Sequence, residues 1–306
     1  MSGSERSETA ALIALLEPGR LPWSKVRMLL DDELPSQILR RVIAPSLLDE
    51  EISGSLDDAN QHLDAWRTSG IRVTSPFSEE YPAQLRGVHD YPPLLFSRGS
   101  FLRSDDSSVA IVGTRAPSEG ALRFIRHLVP LIAERNITVV SGLARGVDSA
   151  AIVASMERGN RTVGIIGTGL NRYYPKENHD LQDSLADSHL LLSQFWPDAP
   201  PTKQSFPMRN HVMSAYSGLT LIVEAGENSG TRIQARAATK HARPLIISRA
   251  VYVQTQWAKD LVAQRFDVTV VADPAEAIAA IDNIRVRRSR PSAWIEGSLT
   301  LANMSA

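Results

Sequence analysis

Between Val109 and Asn210 the chain repeats one pattern. A short run rich in β-branched residues stops at glycine and is followed by a stretch with helical spacing. VAIVG stops at Gly113-Thr114-Arg115, ITVVS stops at Ser141-Gly142, and TVGIIG stops at Gly167. Runs of this length bounded by glycine, alternating with helix-like segments, are how a parallel sheet beneath helices reads. LTLIVEA, PLIIS and VTVVA continue the pattern downstream. The expected class is α/β: an extended Rossmann-like, mostly parallel sheet with helices on both faces, preceded by a small helical domain. Open sheets of this kind bind ligands at the carboxyl ends of their strands, so the polar residues there are the first candidates for a site.

The bulk composition narrows the chemistry. The 306 residues are 43% hydrophobic and 22% charged, enough for one large α/β domain and a small one. A formal net charge of -1 argues against a surface coated in basic residues but leaves room for a local basic groove. There are no cysteines, which excludes disulfides, thiolate chemistry and cysteine-based zinc sites. The histidines are scattered without metal-ligand spacing, so no metal is expected. The start is too short in apolar residues for a signal peptide, and no run approaches the roughly 20 residues of a membrane helix. The expectation is a cytoplasmic protein with no membrane contact.

In order along the chain, residues 1–70 read as amphipathic helices, the first stopped by Pro18-Gly19 and the last by Gly70. Apolar helical spacing most often means a cap packed on a neighbouring core, with nucleic-acid or protein docking as the other reading. Residues 71–103 are proline-rich. One strand, IRVT, is expected there, no helix, and an extended connection that lays an edge strand on the sheet. In the main domain, residues 71–284, Pro130 should kink or end its helix, and FPMRNHVMSAYSG should become helical from about Met208. The tail, 285–306, is basic and then weakly apolar, and is expected to be mobile or docked on a neighbour.

Several strand ends carry candidate chemistry. Gly113, Thr114 and Arg115 combine a close backbone approach, helix-start amides and a fixed guanidinium, which together suit a phosphate. A turn with a surface arginine is the plainer reading. Ser141, Gly142 and Ala144 offer a second donor-rich turn on the next strand end. Lys203, Phe206, Arg209 and Asn210 place cations beside one aromatic ring, the combination single-stranded nucleic acid uses; the alternative puts Phe206 in the core and Arg209 on a solvated helix face. Lys176 and Arg145 are auxiliary candidates. Gly167-Thr168-Gly169 is a fragment of a dinucleotide fingerprint without its third glycine, and no cofactor is expected from it. Glu224, at a strand end beside Ser229-Gly230, could act on a ribosyl bond, cap the helix at residue 230 or pair with an arginine. Asp148 reads as a helix-start residue favoured by the dipole. No catalytic residue is assigned.

Taken together, YPAQL, PPLLFSRG, VAIVGTR, VVSGLARGVD, GTGL with YYPKEN, FPMRN and VEAGENSGT resemble the DNA-processing protein A (DprA, also called Smf) family, over roughly residues 71–250. The resemblance implies an extended Rossmann domain that binds single-stranded DNA and hands it to a RecA-type recombinase in natural transformation, usually as a homodimer. It places the family's phosphate turn on Gly113, Thr114 and Arg115, its second turn on Ser141, Gly142 and Ala144, and its arginine-asparagine pair on Arg209 and Asn210. The chain departs from the family pattern at Ile152, where histidine is usual, at Gln194 after Ser193, and at His211, where arginine is usual. Ile247-Ser248-Arg249 stands where a proline-glycine is usual, and the winged-helix domain that ends many members is not expected here. Two rival readings belong to the same superfamily: a nucleotide-processing enzyme of the ribohydrolase type, and a nucleotide-sensing adaptor. The stretch EAGENSGT lacks the PGGxGT turn of the sugar-cleaving enzymes.

Overall fold

The computed structural model describes residues 1–17, 20–43 and 49–289. The expected helix stop at Pro18-Gly19 and the tail beyond residue 289 lie outside the described residues.

Seven strands run parallel: β3 (Ser108–Val112), β4 (Thr138–Ser141), β5 (Thr162–Ile165), β6 (Leu190–Ser193), β7 (Leu219–Ile222), β8 (Leu245–Ser248) and β9 (Val268–Val271). The proline-rich connection adds β1 (Arg72–Thr74) and β2 (Leu95–Gly99) at the β6 edge, β2 pairing antiparallel with β6 and β1 antiparallel with β2. The spatial order is β1-β2-β6-β5-β4-β3-β7-β8-β9. From β3 the chain steps outward through β4, β5 and β6, and then restarts on the other side at β7. The order therefore reverses between β3 and β7, and a crevice opens at their carboxyl ends for that reason.

Side-chain alternation along β3 assigns the two faces. Val109 and Ile111 pack with α6 (Glu119–Ala133), α7 (Val147–Met156) and α13 (Pro274–Ser289). Ala110 and Val112 pack with α9 (Ser205–Tyr216), α10 (Thr231–Lys240) and α12 (Gln256–Ala263). Strands β3 to β8 are buried throughout, as a parallel sheet covered on both faces requires.

The N-terminal region holds α1 (Gly3–Leu16), α2 (Trp23–Leu29), α3 (Pro35–Ile43) and α4 (Asp49–Thr68). Helix α1 starts in a capping box between Ser2 and Glu5, and every residue from Thr9 to Leu16 is buried. A helix apolar all round must be covered all round. Val26, Ile38 and Leu63 pack in one core with it, and the same core continues through Ile71, Phe96 and Leu191 of the sheet edge and Leu185 of α8 (His179–Ser188). Burying each of Leu12, Ile13, Leu15 and Leu16 contributes about 1.5–3 kcal/mol.

The structure differs from the sequence expectations at particular elements. A single helical turn, α5 (Ala83–Arg86), forms inside the proline-rich connection, because Pro82 sits at its N-cap where no amide donor is needed. Helix α9 begins at Ser205 rather than near Met208. Pro207 lies in its first turn, where the amide has no intrahelical partner anyway. Pro130 does not end α6, since it falls in the last turn and removes only one helical bond. A helix not expected from the sequence, α11 (Arg249–Gln254), follows β8, capped by the Ser248 hydroxyl, which accepts from the Val251 amide at 3.3 Å. Helix α13 continues to Ser289, so the first residues of the expected tail are helical. There Arg287 reaches Asp267 at 3.2 Å, and Arg288 donates to the Gly218 carbonyl at 3.1 Å. Ile152 is a fully buried core residue on α7.

One glycine is required for the added edge. Gly99 of β2 has φ +88°, and a Cβ there would collide with the His189 carbonyl group just before β6. Gly99→Ala is expected to cost at least the roughly 1–2 kcal/mol of a left-handed backbone, with the collision added. Urea denaturation checks this; an unchanged midpoint would mean that β2 shifts freely.

Candidate functional site

The crevice at the β3–β7 reversal has a volume of about 550 Å³. The turn after β3 supplies Gly113, Thr114 and Arg115, α9 supplies Phe206, Arg209 and Asn210, and the loop after β7 supplies Gly226 to Thr231. A second cavity of about 870 Å³ adjoins it, bounded by Gly142, Arg145 and the loop Asn171–Glu177. Arg115, Ala144, Phe206 and Arg209 line both, so the two form one groove along the carboxyl edge of the sheet.

Local hydrogen bonding shapes the turns that border this groove. The Thr114 amide donates to the Glu224 carbonyl at 2.7 Å and the Val147 amide to the Thr114 carbonyl at 3.1 Å, which lock the β3 turn between β7 and α7. A Cβ on Gly113 would lie 2.6 Å from Val147 Cγ2, so only glycine fits there. The Asp148 carboxylate is buried and accepts from the Gly142 amide at 3.1 Å, with the amides of Ala144 and Gly113 near enough to favour its charge. Burial pushes the Asp148 carboxyl up, against the opposing pull of Arg209 and these amides. The amides expected to hold a phosphate are therefore already turned toward an internal carboxylate. What faces the groove is side chains.

Arg209 does not sit on the solvated helix face that one of its two readings gave it: only 6% of its surface is accessible. Nη1 donates to the Ile165 carbonyl at 2.9 Å, and the guanidinium lies where a Gly142 side chain would be. Burial lowers its pKa, while the charge of Asp148 works the other way. Nε is itself buried and has no hydrogen-bond partner among the described residues.

Other candidates divide clearly. Arg115 is exposed between the two halves of the groove. Phe206 is half-buried; its ring lies 5.2 Å from that of Tyr174, and its edge packs 2.8 Å from where a Gly167 Cβ would be. Lys176 is exposed in the second half, and Arg145, also exposed, is ion-paired with Glu177. Ser141 does not reach the groove: it is buried, and its hydroxyl donates to the Ile111 carbonyl at 2.7 Å. Lys203 is exposed but lines neither cavity.

Gly167 and Gly169 serve close packing. Gly167 makes room for Phe206, and a Cβ on Gly169 would strike the carbonyls of Trp196 and Pro197. Glu224 caps α6 rather than the helix at residue 230: its Oε2 accepts from the Ser118 amide at 2.8 Å and the Ser118 hydroxyl at 3.1 Å.

Sequence reasoning missed two features. One is Tyr174, whose ring faces Phe206; an aromatic two residues before Lys176 is the signal for it. The other is a meeting of Asp90, His211 and His241. Their donor atoms all lie within 4.8 Å of one another, from positions with no common spacing. Burial opposes the charge on Asp90, but hydrogen bonds to the two histidines hold its carboxyl far below the usual range.

Comparison with known proteins adds independent findings. The family described as DNA recombination-mediator protein A matches residues 72–283. The chain is 35% identical over 233 residues to the DNA processing protein DprA of Bacillus subtilis, covering 75% of this chain and 78% of that protein. It is 37% identical over 167 residues to protein Smf of Escherichia coli, covering 54% of this chain and 45% of that protein. The crystal structure of DNA processing protein A from Streptococcus pneumoniae superposes with a TM-score of 0.65 at 25% identity, over 90% of this chain and 94% of that one. A structure of the Helicobacter pylori protein, described for its single-stranded DNA binding mode, superposes with a TM-score of 0.61 at 26% identity, over 70% of this chain and 96% of that one. No helix among the described residues is long and apolar enough to cross a membrane.

Proposed function

This chain belongs to the DNA recombination-mediator protein A family, and from that premise we propose that it binds single-stranded DNA along the groove between the β3 turn and Tyr174, without catalysis. The observation that carries the reading is the position of Arg115. An exposed, permanently charged fork stands between two connected cavities, beside a Phe206–Tyr174 ring pair open to one of them. Phosphates would follow Arg115 and Lys176, with Lys203 outside the groove on the approach to α9. The buried Arg209 adds positive potential from the floor, and a base would stack on the exposed edge of the ring pair. The amides of Gly113, Gly142 and Ala144 act at one remove, by holding Asp148 and with it the shape of the turns. The Helicobacter pylori relative, described as binding single-stranded DNA, supports the choice of ligand. The engagement of Glu224 with Ser118 weighs against a ribosyl-cleaving enzyme.

Such contacts read no base edges, so sequence preference should be slight. Phe206→Ala should weaken binding of a labelled oligo-dT by about 1–3 kcal/mol and leave the salt slope unchanged, because the ring carries no charge. Fluorescence anisotropy at two salt concentrations measures both. Equal affinity for duplex and single strand at matched salt would sink the proposal.

By family membership the proposed role extends further: a cytoplasmic homodimer that protects incoming single strands and loads a RecA-type recombinase during natural transformation. Residues 1–70 would be a helical domain capping the Rossmann-like domain of residues 71–284. A strand-exchange assay in which this protein must relieve inhibition by a single-strand-binding protein tests the loading step. No stimulation by a protein that binds oligo-dT would confine the function to binding.

A further inference from the structure

We propose that Asp90, His211 and His241 form a binding site for a divalent transition-metal ion of the zinc class, with His89 within reach as a fourth ligand. The chain has seven histidines, and three of them gather round one carboxylate. His211 Nδ1 lies 2.7 Å from one Asp90 oxygen, and His241 Nε2 lies 2.7 Å from the other. His89 Nε2 is 3.9 Å from Asp90, on a side chain that is 68% exposed and free to turn inward.

Donor type selects the ion. Two or three imidazoles with a carboxylate suit zinc, copper or nickel, whereas magnesium and calcium prefer shells of oxygen alone. Geometry is close to what such an ion needs. Metal bonds of about 2.0–2.1 Å in a tetrahedral shell place neighbouring donors about 3.3 Å apart. The donor atoms already lie within 4.8 Å of one another, so small side-chain rotations close the shell.

Two further observations mark a built site. The His241 side chain is fully buried, and its second ring nitrogen lies 3.0 Å from the Ser214 hydroxyl. A hydrogen bond to the far nitrogen fixes ring orientation and tautomer in metal-bound histidines. Entry is open from the other side, where His211 is 30% and Asp90 17% exposed at the side chain.

The ligands come from three places: the connection after α5, the middle of α9, and the residue that ends α10. Their separations of 121 and 151 residues make the ion a tertiary cross-link. It would secure α9, whose first turns carry Phe206, Arg209 and Asn210. The site stands whatever ligand the groove takes.

The test uses the full chain, stripped with a chelator and dialysed. Zinc chloride should bind at one ion per chain by calorimetry and raise the melting temperature, while magnesium chloride should do neither. Cobalt chloride should give the absorption bands of a tetrahedral ion. His211→Asn and Asp90→Asn should each weaken zinc binding by more than the 10–100-fold typical of losing a group that only hydrogen-bonds a ligand. His211 is partly exposed, so His211→Asn should keep its fold, with its far-ultraviolet circular dichroism and metal-free melting as the check. No zinc binding by the stripped wild type would overturn the proposal, as would zinc affinity unchanged in a folded His211→Asn variant.

Discussion

Replacing Arg115 and Lys176 with alanine should weaken binding of labelled oligo-dT by at least a hundredfold and lower the salt slope by about two. Each charge-assisted hydrogen bond to phosphate contributes about 1.5–3 kcal/mol, and each lost phosphate contact removes about one unit of slope. Both side chains are exposed, so the fold should survive and the loss can be read as contact with the ligand. Arg115→Lys separates charge from shape. It keeps the counterion term and so the slope, but gives up the planar fork that meets two phosphate oxygens. Full affinity in the double variant would place the DNA elsewhere on the molecule.

The largest effect on stability should come from Asp148→Ala. The carboxylate is buried, with the amides of Gly142, Ala144 and Gly113 and the charge of Arg209 directed at it. Its loss takes the nearby countercharge from a guanidinium at 6% exposure and the acceptor from the Gly142 amide. Leaving a buried donor without its acceptor costs about 1–3 kcal/mol, and the lost countercharge adds to it, against a total of about 5–15 kcal/mol for a typical domain. Asp148→Asn keeps an acceptor oxygen in place, so its difference from alanine in urea denaturation measures the hydrogen bonds apart from the charge. A cost below about 1 kcal/mol for alanine would show that Arg209 turns out to solvent once released.

Asp148 also has a pH signature. Burial raises its pKa in the folded chain above the ordinary aspartate value of about 3.8. Between that value and the raised one, the folded state binds more protons than the unfolded state. This residue's contribution to stability therefore grows as pH falls through that window. Asp148→Asn should abolish the component, making the variant's acid destabilisation steeper than that of the wild type.

Several of these features were legible in the chain alone. VAIVG, ITVVS and TVGIIG announce a parallel sheet because burial on both faces demands unbroken apolar residues, and that demand is written locally. Gly113-Thr114-Arg115 could be placed at a strand end for the same reason, and the open-sheet rule put a site there. Ser118, whose hydroxyl accepts from the Ala121 amide at 3.2 Å to cap α6, is likewise a matter of neighbours in sequence.

Only the tertiary structure decided what those residues do. Arg209 reads as a surface cation, but Gly142, 67 positions earlier, leaves the space it occupies. The amides of the two turns look free until Asp148 is seen to hold them together. Glu224 resembles a catalytic acid until Ser118, 106 residues away, takes its oxygen. His211 and His241 share no motif with Asp90 and meet only because α9, α10 and the connection after α5 pack side by side. Short-range order follows from propensity and hydrophobic period, which act over a few residues. The partners of a polar group depend on which distant segments the core brings together, and burial then makes those pairings obligatory.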